Sequence, residues 1–287
     1  MLASAFLFSV LDVLIKTLGP EFRVWDIAFY RWGGSFAVLM IIVCWLGNPF
    51  KCHDLKLMIF RSISGCIAFF ALITSIRLIP ISTAMVLFYS FPAFAALFSF
   101  LIFKECITKE EILCIIAALL GVAILIDVKL GGHFFGYTMG LLSGAFAGLT
   151  ISLIKKLREK TGPVAIYLYF SLFGAGVSFP AFIANPKLPE SGVEWLMIGG
   201  IVGSSIAAQL LMNQGFKYCK SWEGSLFLTG ELIFVAFFGI FFLGEITTWR
   251  FWIGGLMIFG SIVILNRVHA RATSISKSQL PEAQVTM

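Results

Sequence analysis

The chain has 287 residues, of which 59% are hydrophobic and 13% charged, with a mean hydropathy of +0.97. Soluble globular domains carry about 25% charged residues, so this balance excludes one and points to an α-helical membrane protein. The formal net charge of +6 reads as a topology signal rather than as a nucleic-acid-binding patch.

In chain order, ten unbroken apolar runs predict ten transmembrane helices. They are Leu2–Leu18, Val24–Leu46, Leu57–Leu78, Ser82–Phe103, Ile112–Ile126, Phe135–Leu157, Val164–Ala184, Trp195–Phe216, Ser221–Leu243 and Trp249–Leu265. About 20 helical residues cross the ~30 Å hydrocarbon layer, and the fifth run reaches that length by beginning near Lys109. The runs do not alternate in polarity, which selects helices over a β-barrel.

An ionisable side chain inside such a run costs about 2.5–3.5 kcal/mol on insertion scales, so each one needs a reason. In the first run, Asp12 and Lys16 are spaced i, i+4 and share a helix face. Arg31 lies seven residues into the second run, at a depth similar to that of Asp12 in an antiparallel neighbour. We expect Asp12, Lys16 and Arg31 to form a charge network that locks or gates the outer half. In the fourth run, Tyr89-Ser90-Phe91-Pro92 falls at mid-depth. Proline removes a backbone donor there, so Pro92 is a candidate hinge and Tyr89 a candidate cavity residue. The sixth run carries Gly136, Gly140, Gly144 and Gly148 at four-residue spacing, a pattern for close helix packing.

The eighth run contributes Gln209 and Asn213, again i, i+4, as candidate hydrogen-bonding groups for a ligand. The ninth holds Glu231, ten residues after Ser221 and so about 15 Å deep. It is the leading candidate for a substrate site responsive to a proton or cation. Packing roles compete with each of these readings, because amides and protonated carboxyls also bridge helices.

With the N-terminus inside, fourteen Lys and Arg residues, Arg61 among them, fall on the cytoplasmic side and five on the other. The positive-inside rule then puts both termini in the cytoplasm. The first run has no basic leader and carries charges, so a cleaved signal peptide is not expected. The tail 268–287 is polar enough to be disordered. Six cysteines show no CxxC spacing, which favours unpaired thiols over a metal or redox site. No phosphate loop, HExxH, GxSxG or paired catalytic carboxylates occur, so neither an enzyme nor a bound cofactor or metal is expected.

The first half echoes in the second at an offset of 140 residues. Leu2, Ala5 and Phe6 recur as Leu142, Ala145 and Phe146, and Glu105 and Thr108 recur as Glu245 and Thr248. Five spans per half is an odd number, so the second copy would enter the membrane inverted. The expected fold is therefore all-α, with two inverted five-helix repeats at 1–127 and 135–267. Under the same offset Phe91 and Pro92 meet Glu231 and Leu232, which makes the halves asymmetric at mid-membrane.

Several phrases carry a resemblance. Ser75-Ile-Arg-Leu-Ile-Pro80-Ile-Ser-Thr-Ala84, Ser90-Phe-Pro92-Ala93-Phe94 ending at Lys104-Glu105, and Phe242-Leu-Gly244-Glu245 with Gly254-Gly255 are similar to the EamA-like branch of the drug/metabolite transporter superfamily. The likeness covers essentially the whole chain. It implies a ten-helix carrier with both termini in the cytoplasm that works without ATP. With the residues above, the expectation is an inner-membrane carrier of a small polar metabolite, amino-acid-like or cofactor-like, in the lipid bilayer as a monomer or homodimer. It also implies a proline early in the fourth helix of each repeat, where Leu232 departs from the pattern. Asp12-Val-Leu-Ile-Lys16 and Phe29-Tyr-Arg31 resemble branches that take up S-adenosylmethionine or riboflavin. A non-transporting membrane receptor is the remaining alternative.

Overall fold

The computed structural model describes residues 1–19, 21–46, 53–79, 84, 87–104, 108–125 and 134–234, and from there to the C-terminal end 237–238, 249, 252–254, 256–257, 260–261 and 263–264. The tail 268–287 lies outside the described residues. All regular structure among those described is helical. The helices are α1 (Leu2–Leu18), α2 (Val24–Leu46), α3 (Leu55–Leu78), α4 (Phe91–Phe103), α5 (Lys109–Leu125), α6 (Phe134–Leu157), α7 (Pro163–Ala184), α8 (Gly192–Gly215) and α9 (Ser221–Thr229). Val24–Cys44, Leu55–Ser75, Phe134–Leu157, Pro163–Ala184 and Gly192–Gly215 are long and apolar enough to cross a membrane.

Local chemistry sets several of the boundaries. The Asp54 carboxylate accepts from the Leu57 amide at 2.9 Å, which starts α3 two residues ahead of its apolar run. Ser191 caps α8 in the same way through the Glu194 amide at 3.2 Å. Pro163 opens α7, where its missing N–H would have had no partner. The helix α5 does begin at Lys109.

Two runs are not the continuous helices their hydropathy predicts. In the fourth, Tyr89 and Ser90 form a turn before α4 resumes at Phe91. In the ninth, Gly230 is a turn between α9 and the helical residues 231–234. Ser90 and Gly230 are 140 residues apart, so both breaks occupy the same register of the echo. The expected asymmetry at mid-membrane is thus one of side chain, because the backbone breaks in both halves. Ten of the seventeen residues of the tenth run are described, and all ten are helical.

The strongest packing joins helices from opposite halves of the chain: α3 with α6, α2 with α7, and α1 with α8. Each of these pairs is antiparallel. Ser75 Oγ donates to the Gly136 carbonyl at 2.9 Å, while further along Ser64 Oγ meets Thr150 Oγ1 at 2.8 Å. Ser4 Oγ donates to the Ala208 carbonyl at 2.8 Å, and Leu14 lies over Gly200. Arg23, just before α2, reaches the carbonyls of Ala181 and Asn185 at the end of α7. α4 lies alongside both α6 and α9.

The bundle therefore has a Met1 end and an Arg23 end. At the Arg23 end, Arg23 holds the fully buried Asp26 carboxylate through two hydrogen bonds of 2.9 Å. At the Met1 end, Arg158 donates to the carbonyls of Asn213 (2.9 Å) and Thr161 (2.6 Å) and to Gln214 Oε1 (2.7 Å). Removing a shared donor leaves buried acceptors unpaired, at about 1–3 kcal/mol. Arg158→Ala should therefore lower the detergent-solubilised melting temperature by several degrees, and Arg158→Lys should restore only part of it, having no planar fork.

A second expectation arises beside that latch. Burial first, and then the Glu223 charge, push the Cys219 thiol up to about 12. A free cysteine titrates near 8.5 and reacts as the thiolate. Maleimide labelling of Cys219 at neutral pH should run at least tenfold slower in the folded protein than after unfolding in SDS. Equal rates would show that the thiol is not held this way.

Candidate functional site

A cavity of about 310 Å³ lies inside the bundle, within the range that holds small ligands. Its wall takes residues from α1, α2, α3, α6, α7 and α8, and from both broken elements. Tyr89 and Phe91 enter at the first break, and Leu228 and Glu231 flank the second. A break suits this position, because backbone carbonyls freed from a helix are tolerated at membrane depth only beside protein or a cavity.

The chemistry of the cavity centres on two carboxyls. Asp12 of α1 and Glu231 are hydrogen-bonded side chain to side chain. Two carboxylates are both acceptors, so this contact requires a proton on one of them. The Arg31 charge acts on both groups. Tyr89, buried in the turn, faces the same pair.

Arg31 is itself held in place. Its Nε donates to Ser205 Oγ at 2.9 Å, Ser205 Oγ meets Tyr167 Oη at 2.9 Å, and Tyr167 Oη donates to Ser35 Oγ at 2.9 Å. Ser35, Tyr167 and Ser205 are fully buried, so this chain of hydroxyls ties α2, α7 and α8 together behind the guanidinium.

The residues expected from the sequence divide clearly. Asp12, Arg31, Tyr89, Gln209 and Glu231 share the cavity wall. Asp12, read with Arg31 as an outer lock, meets both Arg31 and Glu231 in the cavity wall. Asn213 does not join them, because its Nδ2 donates to the Pro163 carbonyl at 3.2 Å between α7 and α8. The Lys16 side chain lies outside the described residues. Pro92 is buried in the first turn of α4, where it begins a helix rather than kinking one.

Arg61 was missed as a site residue. Counted among the basic residues of the cytoplasmic side, it is only 1% exposed and lines the cavity. Its guanidinium stacks 3.9 Å over the Phe170 ring. The signal was its place inside an apolar run, beside Ser62 and Ser64, the same signal that singled out Arg31.

Two matches to one family model, over residues 1–127 and 134–267, account for nearly all of the chain. The chain belongs to the EamA-like transporter family. Among its relatives are human solute carrier family 35 member G1, 22% identical over 91% of this chain and 76% of that protein. An uncharacterized transporter of Archaeoglobus fulgidus is 25% identical over 91% of this chain and 93% of its own length. An S-adenosylmethionine uptake transporter of Rickettsia bellii is 25% identical over 82% of this chain and 80% of that protein. One crystal structure superposes with a TM-score of 0.80 over 94% of this chain and 96% of its own, at 16% identity, which is a likeness of fold alone. Family membership and the apolar helices make this a multi-pass membrane protein of a transporter family.

Proposed function

We propose that the protein is a secondary active carrier that moves a small polar metabolite across the inner membrane by alternating access. The observation that carries this reading is the Asp12–Glu231 contact, with Arg31 beside it, in a central cavity. A carboxyl pair that shares a proton can exchange it for a cationic group or a coupling ion, and so link occupancy to charge. Protons or cations are the coupling species in this reading.

Two further observations support it. The antiparallel pairing of α1 with α8, α2 with α7 and α3 with α6 is what two interlocked inverted five-helix repeats require. Lys155, Lys156, Arg158, Lys160, Lys217 and Lys220 gather at the Met1 end, against Arg23 and Lys187 at the other. This bias favours a cytoplasmic Met1 end. A second reading, uptake of a nucleoside-type cofactor, draws on the Rickettsia relatives named for S-adenosylmethionine uptake.

Metabolite profiling of cells and medium tests both. Three strains are compared: empty vector, wild type, and Glu231→Gln expressed to the same level. A metabolite class redistributed only by wild type identifies the substrate and direction and places Glu231 in the mechanism. Redistribution by both proteins keeps the carrier and reduces Glu231 to packing. A purified protein that binds that metabolite but never moves it into liposomes is a receptor.

A further inference from the structure

The carboxyl pair accounts for one part of the cavity. The other part is lined by donors without partners. Arg61 Nε and Nη1 are buried and have no hydrogen-bond partner among the described residues, and the same holds for Trp32 Nε1. Both side chains line the cavity and both pack on Phe170, Arg61 at 3.9 Å and Trp32 with ring centroids 5.6 Å apart. The remaining unpartnered side chain of the cavity wall presents an acceptor, Gln209 Oε1.

An unmade hydrogen bond in such a place is costly, most of all for a guanidinium. Phe170 contacts the Arg61 guanidinium at 3.9 Å and gives its edge of N–H groups no oxygen acceptor. That edge matches the two oxygens of a carboxylate or phosphate. The two regions also differ in depth. Arg61 is six residues into α3 and Glu231 ten residues past the start of α9, about 9 Å and about 15 Å from the Met1 end at 1.5 Å per residue.

We infer that Arg61, which shares the Phe170 ring with Trp32, is the docking group for an oxyanion on the substrate, whose cationic group meets Asp12 and Glu231. The transported molecule is then dipolar, carrying a positive centre and a carboxylate or phosphate on one small frame. This rests on the carrier reading for its transport aspect and on the cavity alone for its binding aspect.

The test is a thermal-shift titration of the purified full chain. The probes are the common α-amino acids, the amine and the acid made from each by removing one charged group, and the phosphate zwitterions O-phosphoethanolamine and phosphocholine. At least one zwitterion should stabilise wild type, with its amine and acid counterparts at least tenfold weaker. A carboxylate or a phosphate winner says which oxyanion Arg61 takes. In Arg61→Met the preference for the zwitterion over the amine should vanish, and Arg61→Lys should recover part of it. Far-UV circular dichroism and gel filtration establish that each variant is folded.

The assignment is overturned if no zwitterion stabilises wild type, if a singly charged probe outperforms them, or if folded Arg61→Met keeps wild-type affinity. Should Arg61→Met not fold, Arg61→Lys decides, and wild-type affinity and selectivity in it overturn the bidentate role. Counterflow into liposomes separates this from the carrier reading. A zwitterion that binds through Arg61 but is never moved refutes the carrier and keeps the site. One moved equally by wild type and Arg61→Met keeps the carrier and removes Arg61.

Discussion

Glu231→Gln is expected to reduce transport by tenfold or more and to flatten its dependence on pH. Asp12 and Glu231 are in hydrogen-bonding contact in the cavity wall, a contact that needs one shared proton. Glutamine keeps the shape and can still donate to Asp12, but its proton count no longer changes. Losing a charge-assisted interaction at such a site costs about 1.5–3 kcal/mol, and each 1.4 kcal/mol is a factor of ten.

Arg31 from α2 and Tyr89 from the first break face the pair, and Arg61 from α3 lines the same cavity, so all three belong in the same experiment. Initial rates for wild type, Asp12→Asn, Glu231→Gln and the double variant should be taken across a range of pH. If the carboxyls act as one proton-sharing unit, the double variant should be little worse than either single. Strictly additive losses, or a Glu231→Gln protein with the wild-type pH profile, would remove proton exchange at this pair from the mechanism.

The second large effect is expected from the glycine stripe of α6. Gly136, Gly140, Gly144 and Gly148 are all buried, and they form the face against the end of α3, the first break and α4. A Cβ on Gly144 would stand 2.6 Å from the Leu87 carbonyl oxygen and 2.7 Å from Ser90 Oγ. One on Gly148 would stand 2.7 Å from the Ala95 amide nitrogen and 2.9 Å from the Phe91 carbonyl oxygen. These neighbours are mostly backbone, so they cannot rotate away.

Forcing even one methyl into a well-packed contact costs about 1–3 kcal/mol. The β-branched side chain of valine exceeds that, and it would push apart the segment that carries Tyr89 and Phe91 into the cavity. Gly144→Val and Gly148→Val should therefore lower the melting temperature sharply and abolish ligand binding. Gly176→Val is the control, because no atom lies within 4 Å of its Cβ position. A Gly148→Val protein as stable as the control would show that α6 is not packed on α4 through this stripe.

Much of this molecule could be read from one dimension. Hydropathy alone located α1 and α2 to the residue, since a helix that faces lipid or protein on every side needs little but apolar length. The glycine stripe was visible because close packing of helices demands small side chains at a fixed spacing. Asp12, Arg31, Gln209 and Glu231 stood out because an ionisable or amide group in an apolar run is costly wherever it packs.

What only the tertiary structure decided is which of these groups meet. Asp12 was paired with Arg31 from equal depth on neighbouring helices. The Arg31 charge does act on it, and the fold adds a hydrogen-bond partner, Glu231 from the other half of the chain, brought in by the packing of α1 against α8 and α9. Asn213 shares a helix face with Gln209 in sequence, yet one turn further on it meets the start of α7 rather than the cavity. Arg61 lies close enough to a helix end to count as a surface charge, and only the position of Phe170 turns it inward. The second break, at Gly230, has no proline to announce it. Hydropathy and spacing are local properties of a chain, so they reveal which residues are out of place in a membrane. Partnership depends on how helices distant in sequence are rotated and paired, and that follows from the packing of the whole bundle.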